Sequence, residues 1–209
     1  MNDLEQDIQF AARLARSGAD APLLGGRMLA WWGMMVALAY GCHYLLITGR
    51  LAPPGLSIGP AIGFLWLAFV VIASLGYGLL IRRYPFQQGG SGSAANRADR
   101  AIWGSAGLAL GWIMVGALIR SLLDGRADLV FPWTVPMVFA IYGTAQLAVG
   151  WISSNAVLQG AGLLGGAIAM VCWLLTGQSL QFAVASAGAA LTLLVPGLLL
   201  WRQESEPRP

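Results

Sequence analysis

LVFPWTVPMVFAIYGTAQLAVGWI, residues 129–152, runs from Leu129 to Ile152 without one charged side chain. At about 1.5 Å of rise per residue, a helix of that length exceeds the roughly 30 Å hydrocarbon core of a bilayer. A helix is required because lipid offers no partner to backbone N–H and C=O groups, so each must be satisfied inside its own segment. Five further runs share the property: 28–49, 59–81, 101–119, 156–175 and 180–201. The expected fold is all-α and polytopic, with six transmembrane helices in three hairpins.

The rest of the chain is too scattered to build a soluble catalytic domain, since 57% of the residues are hydrophobic and only 10% charged. The expected organisation is a segment 1–27, a first transmembrane hairpin 28–82, a flexible linker 83–100, a four-helix part 101–201 and a tail 202–209. The linker assignment rests on Gln87-Gln88-Gly89-Gly90-Ser91-Gly92-Ser93-Ala94-Ala95-Asn96, rich in Gly and Ser. Within 1–27, Leu4, Ile8, Ala11 and Ala15 share one face at helical spacing. A short amphipathic surface helix is therefore predicted ahead of the break at Ser17-Gly18-Ala19-Asp20-Ala21-Pro22. Acidic residues at Asp3, Glu5 and Asp7 argue against a secretory signal.

Every basic residue is Arg and none is Lys, a codon signature of a GC-rich bacterial genome. Nine of the twelve Arg residues flank the spans on the side predicted to hold both termini, against Arg50, Arg120 and Arg126 on the other. The positive-inside rule then places both termini in the cytoplasm and the protein in the bacterial inner membrane. Trp31, Trp32, Trp103, Trp133, Trp151 and Trp201 lie near span ends, where an indole suits the headgroup region. The net charge of +3 is too small and too dispersed for nucleic-acid binding.

No Asp or Glu falls inside the six runs, so a carboxylate proton relay or a pump-type cation site has no residues to run on. His43 is the sole histidine and lacks companions for a metal or haem site. No cofactor, metal or catalytic residue is expected, and the chain is read as non-enzymatic. Cys42 and Cys172 stand at similar depth; a bond between them is compatible with that depth, although buried thiols usually behave as small hydrophobes.

Two sets of residues are candidates for function. Tyr40, His43, Tyr142, Thr144 and Gln146 could line a small polar pocket, beside kinks expected at Pro136 and Pro196-Gly197; the competing reading is interhelical hydrogen bonding. Gly107 and Gly111, Gly162 and Gly166, and Ala185 and Ala189 follow the small-xxx-small spacing that lets helix backbones approach closely. These faces serve either packing within the chain or contact with a homo-oligomer or with a membrane or cytoplasmic protein partner. A weak repeat is also present: Gly49-Arg50, Gly125-Arg126 and Gly177-Gln178 each follow an odd-numbered run, as three hairpins from one unit would require, although glycine commonly ends a helix.

Ala21-Pro22-Leu23-Leu24-Gly25-Gly26-Arg27, with the acidic segment ahead of it, resembles the opening of a family of uncharacterised bacterial six-helix inner-membrane proteins. The resemblance covers about an eighth of the chain and implies location and topology only. The expected role is an anchoring, accessory or regulatory membrane subunit surrounded by lipid. The alternative is a small transporter or channel for an uncharged or weakly polar solute.

Overall fold

The computed structural model describes residue 9 and residues 23–84, 92–124 and 127–205. The predicted amphipathic helix carried by Leu4, Ile8, Ala11 and Ala15 lies outside the described residues. Six helical spans occur where the uncharged runs place them: α1 (Gly26–Ile47), α2 (Ile58–Arg83), α3 (Ala94–Asp124), α4 (Ala127–Ile152), α5 (Ala156–Leu174) and a sixth. The sixth is interrupted. It consists of α6 (Leu180–Ala189), a π-helical turn (Ala190–Leu194) and α7 (Val195–Ser205). No strand occurs among the described residues. All six are long and apolar enough to cross a bilayer, and the chain is an integral membrane protein of all-α, polytopic architecture.

The connections are tight. Asn155 caps α5 by accepting from the Leu158 amide at 3.1 Å, and Gly177 turns the chain toward α6 at φ +84°, a conformation that favours glycine. The linker is shorter than its composition suggests, because α3 begins at Ala94 rather than at the apolar run starting at 101. Ser93 nucleates that earlier start: its hydroxyl accepts from the Asn96 amide at 3.2 Å, as an N-cap does.

Helix α1 packs on α2 to one side and on α6, the π turn and α7 to the other, while α4 packs on α3 and α5, and α5 reaches α6. The core thus consists of α1, α4, α5 and the interrupted sixth span. It holds Tyr40, Phe139, Val149, Leu158, Phe182 and Leu193 among its buried side chains. Helices α2 and α3 ride outside: α2 buries only Ala61 and Ala73, and Leu108, Trp112, Leu118 and Leu122 of α3 are exposed.

Backbone contact without side chains joins the core helices, as expected where lipid removes the hydrophobic drive between spans. A methyl on Gly33 of α1 would overlap the Leu194 backbone, and one on Gly197 would overlap Ala30. Between α4 and α5, a methyl on Gly143 would come within 2.9 Å of the Gly162 carbonyl oxygen. Gly165 faces the same contact, 3.0 Å from the Gly143 Cα, whereas a methyl on Gly166 would meet nothing within 4 Å. Ala185 and Ala189 are wholly buried in the core. Gly107 and Gly111 of α3, with Gly104, have nothing within 4 Å and take no part in packing within the chain.

Candidate functional site

Two polar regions stand out, one within the span region and one at the end of the bundle where α1 begins. The first starts from proline chemistry. A proline has no amide hydrogen, so the carbonyl four residues earlier loses its helical partner. Pro136 does this to the Pro132 carbonyl, and Pro196 directly follows a π turn that holds the Thr192 carbonyl, with the Val195 amide reaching five residues back to Ala190. Each carbonyl receives a glutamine from another helix. Gln181 Nε2 donates to the Pro132 oxygen at 2.8 Å and to the Cys172 oxygen at 3.1 Å. Gln146 Nε2 donates to the Thr192 oxygen. Both glutamines are fully buried. The third glutamine of the spans, Gln159, donates to the Gly150 oxygen at 3.0 Å, in the last turn of α4. The Gly150 oxygen also accepts from the Asn155 amide at 2.8 Å, so Gln159 adds a second bond there.

The expected kink near Pro196 takes the form of the π turn directly ahead of it, where Thr192 is buried and its hydroxyl donates to the Gly188 oxygen at 2.8 Å. Pro136 sits inside α4, which continues through it as one helix.

Tyr40, His43, Tyr142, Thr144 and Gln146 each meet groups of the protein itself. Tyr40 is buried in an aromatic nest, its ring centroid 5.3 Å from Trp66 and 6.3 Å from Phe139. His43 stacks on Phe182 at 3.9 Å and 17°. Its Nδ1 accepts from the Trp66 indole at 3.1 Å, which fixes a neutral imidazole with its proton on Nε2. Tyr142 turns toward α3, with its ring 5.8 Å from that of Trp103. Thr144 is exposed and donates to the Ala140 oxygen of its own helix at 2.8 Å. Cys42 and Cys172 are free thiols.

The second region has no counterpart in the sequence reading. At the start of α1, the Gly26 amide donates to Glu204 Oε1 at 2.7 Å, and Arg27 Nε lies 3.5 Å from Glu204 Oε2. The Glu204 side chain is 3% exposed. The Arg27 guanidinium lies 4.0 Å over the Tyr84 ring, just past α2, and 5.6 Å from the Trp201 ring on α7. One turn earlier, the Leu24 amide donates to Asn96 Oδ1 at 3.0 Å, and Asn96 Nδ2 donates to Ser93 Oγ at 3.0 Å. The Asp99 carboxylate covers Gly25, where an added methyl would meet Oδ2 at 3.1 Å. Residues 24–27 are thus clasped by the ends of α2, α3 and α7.

Arg27 and Glu204 were legible as charged flanks, but their pairing crosses most of the chain. Gln181 carried a signal that could have been read: an amide inside an apolar run, with Pro136 on another run freeing a carbonyl. Among the described residues, no three His, Cys, Asp or Glu side chains come together as metal ligands would. The arrangement fastens helices to one another through the glutamine Nε2 groups, while Gln146 Oε1 and Gln181 Oε1 are buried without a hydrogen-bond partner among the described residues. No protein-family model, no curated protein and no solved structure matches the chain.

Proposed function

We propose that the protein is a non-enzymatic accessory or anchoring subunit of the bacterial inner membrane, with both termini cytoplasmic, and that it acts through the outward face of α3. The carrying observation is the face formed by Gly104, Gly107 and Gly111, where a methyl would meet nothing within 4 Å. Glycine lowers helix stability relative to alanine, and in a transmembrane helix its use is close backbone approach by another helix. In the core, Gly33 and Gly143 approach another helix's backbone, whereas on α3 three glycines at one face, Gly104, Gly107 and Gly111, approach none.

The use of Gln146 and His43 points the same way. A transported solute needs polar side chains it can reach, and here Gln146 serves the Thr192 carbonyl while His43 serves the Trp66 indole. The Arg count sets the orientation, and the amphipathic segment at the N-terminus supplies a further contact for a cytoplasmic partner.

Photo-crosslinking in the native membrane tests this reading. A photoactivatable residue at Gly111 is expected to yield a discrete protein-protein band that the same residue at Val71, an exposed position on α2, does not yield. Lipid adducts alone at both positions would overturn the proposal.

A further inference from the structure

Between α1 and α6 lies an open groove of about 440 Å³. Its floor is made of small residues, Ala37 and Gly41 from α1 and Ala183 and Ala187 from α6. The one hydroxyl on that floor is turned away, because Ser186 Oγ donates to the Ala37 oxygen at 2.7 Å. Leu38 and Leu45, both exposed, form a rim. From Ala37 to Tyr44 the groove follows two turns of α1, about 10 Å, and its lining is mostly apolar.

The groove ends at the side of the membrane that carries Arg50. Tyr44 lines it there, and the Arg50 guanidinium carbon stands 5.7 Å from the Tyr44 ring centroid. Arg50 is exposed, and no Asp or Glu occurs between Asp20 and Asp99, so the hairpin that carries it supplies no carboxylate to pair with it. An apolar groove about two helical turns long, open to the hydrocarbon and topped by one cation at headgroup level, matches a ligand that is apolar along its length and anionic at one end.

We propose that this groove binds one anionic phospholipid from the leaflet on the Arg50 side. An acyl chain lies along Ala37, Gly41 and Ala187, and the phosphate stands at Arg50. The small side chains on both walls leave room for the chain, while Arg50 distinguishes anionic from zwitterionic headgroups.

Native mass spectrometry of the full-length protein in detergent, with phosphatidylglycerol or phosphatidylcholine of matched acyl chains, tests the assignment. The wild type is expected to retain one phosphatidylglycerol about fivefold better than phosphatidylcholine, as one Arg near the headgroups warrants. Arg50→Gln should reduce phosphatidylglycerol to the phosphatidylcholine level. Ala187→Leu, which fills the groove from an exposed position, should reduce both lipids; Ala183→Val supplies the same obstruction if the first variant fails to fold. Arg82→Gln, at the other end of the bundle, should change neither. Equal retention of the two lipids by the wild type, full retention by Arg50→Gln, or an Arg50 effect that survives a filled groove would each overturn the site.

Discussion

Gln181 Nε2 stands 2.8 Å from the Pro132 carbonyl oxygen, the group that Pro136 deprives of its helical amide. Gln146 Nε2 donates to the Thr192 carbonyl, in the π turn directly ahead of Pro196. Pro136 therefore comes with an amide on a neighbouring helix, as does the π turn ahead of Pro196, which keeps these backbone carbonyls from standing bare in lipid. A residue pair of this kind couples two helices through a defect in one of them.

The coupling is measurable as a double-mutant cycle. Gln146→Leu should cost about 1–3 kcal/mol in unfolding free energy, because it strands the Thr192 carbonyl. In a Pro196→Ala background the restored amide can reach that carbonyl, and the same change should cost clearly less. Gln181→Leu with Pro136→Ala should behave alike. Equal costs in both backgrounds, read by denaturant unfolding in micelles, would show that the glutamines do not serve the prolines.

Glycines of the two kinds should respond to alanine with opposite sign. Gly33→Ala forces a methyl into the Leu194 backbone and should destabilise the bundle strongly. Gly107→Ala meets open space and should stabilise α3 by about 0.5–1 kcal/mol through lost chain entropy. Thermal unfolding of the two purified variants checks this, and a Gly107→Ala loss comparable to that of Gly33→Ala would contradict the placement of α3.

How much of this could be read from the sequence depends on the range of each interaction. The uncharged runs located all six spans, because lipid imposes its demand residue by residue along the chain. The start of α3 was set too late since Asn96 and Asp99 look like linker residues until Leu24 and Gly25 lie against them. In the polar set, Tyr142 and Gln146 are four residues apart and share a side of α4, whereas Thr144 between them is exposed and bonds only to its own helix. Gln181 was passed over at a span end because its carbonyl partner is 49 residues distant. The π turn was anticipated only as a kink, since proline announces a disturbance without stating its form.

The clasp at the start of α1 should resist salt. Glu204→Gln removes the charge facing Arg27 while keeping an acceptor for the Gly26 amide, and Glu204→Ala removes both. The alanine variant should lose about 1–3 kcal/mol and the glutamine variant less. Because the Glu204 side chain is 3% exposed, the difference between wild type and variants should persist in 1 M salt, at roughly 3 Å Debye length. Convergence of the three melting temperatures in high salt would mark the pair as a surface contact.

His43→Phe preserves the stack on Phe182 but strands the Trp66 indole hydrogen. A loss of about 1–3 kcal/mol is expected, with a blue shift in tryptophan emission as the indole loses its acceptor. An unchanged spectrum and stability would show that the Trp66–His43 bond contributes nothing.

The central claim is that the span glutamines hold helices together in a closed bundle and are not reached by solute or water. Thiol accessibility decides it most directly. In a Cys42→Ser, Cys172→Ala background, Gln146→Cys should remain unlabelled by a membrane-impermeant cationic thiosulfonate applied to either side of sealed vesicles, while Leu51→Cys, exposed past the end of α1, labels from one side. Rapid labelling at position 146 from either side would contradict the account and place a polar path where we find packed backbone.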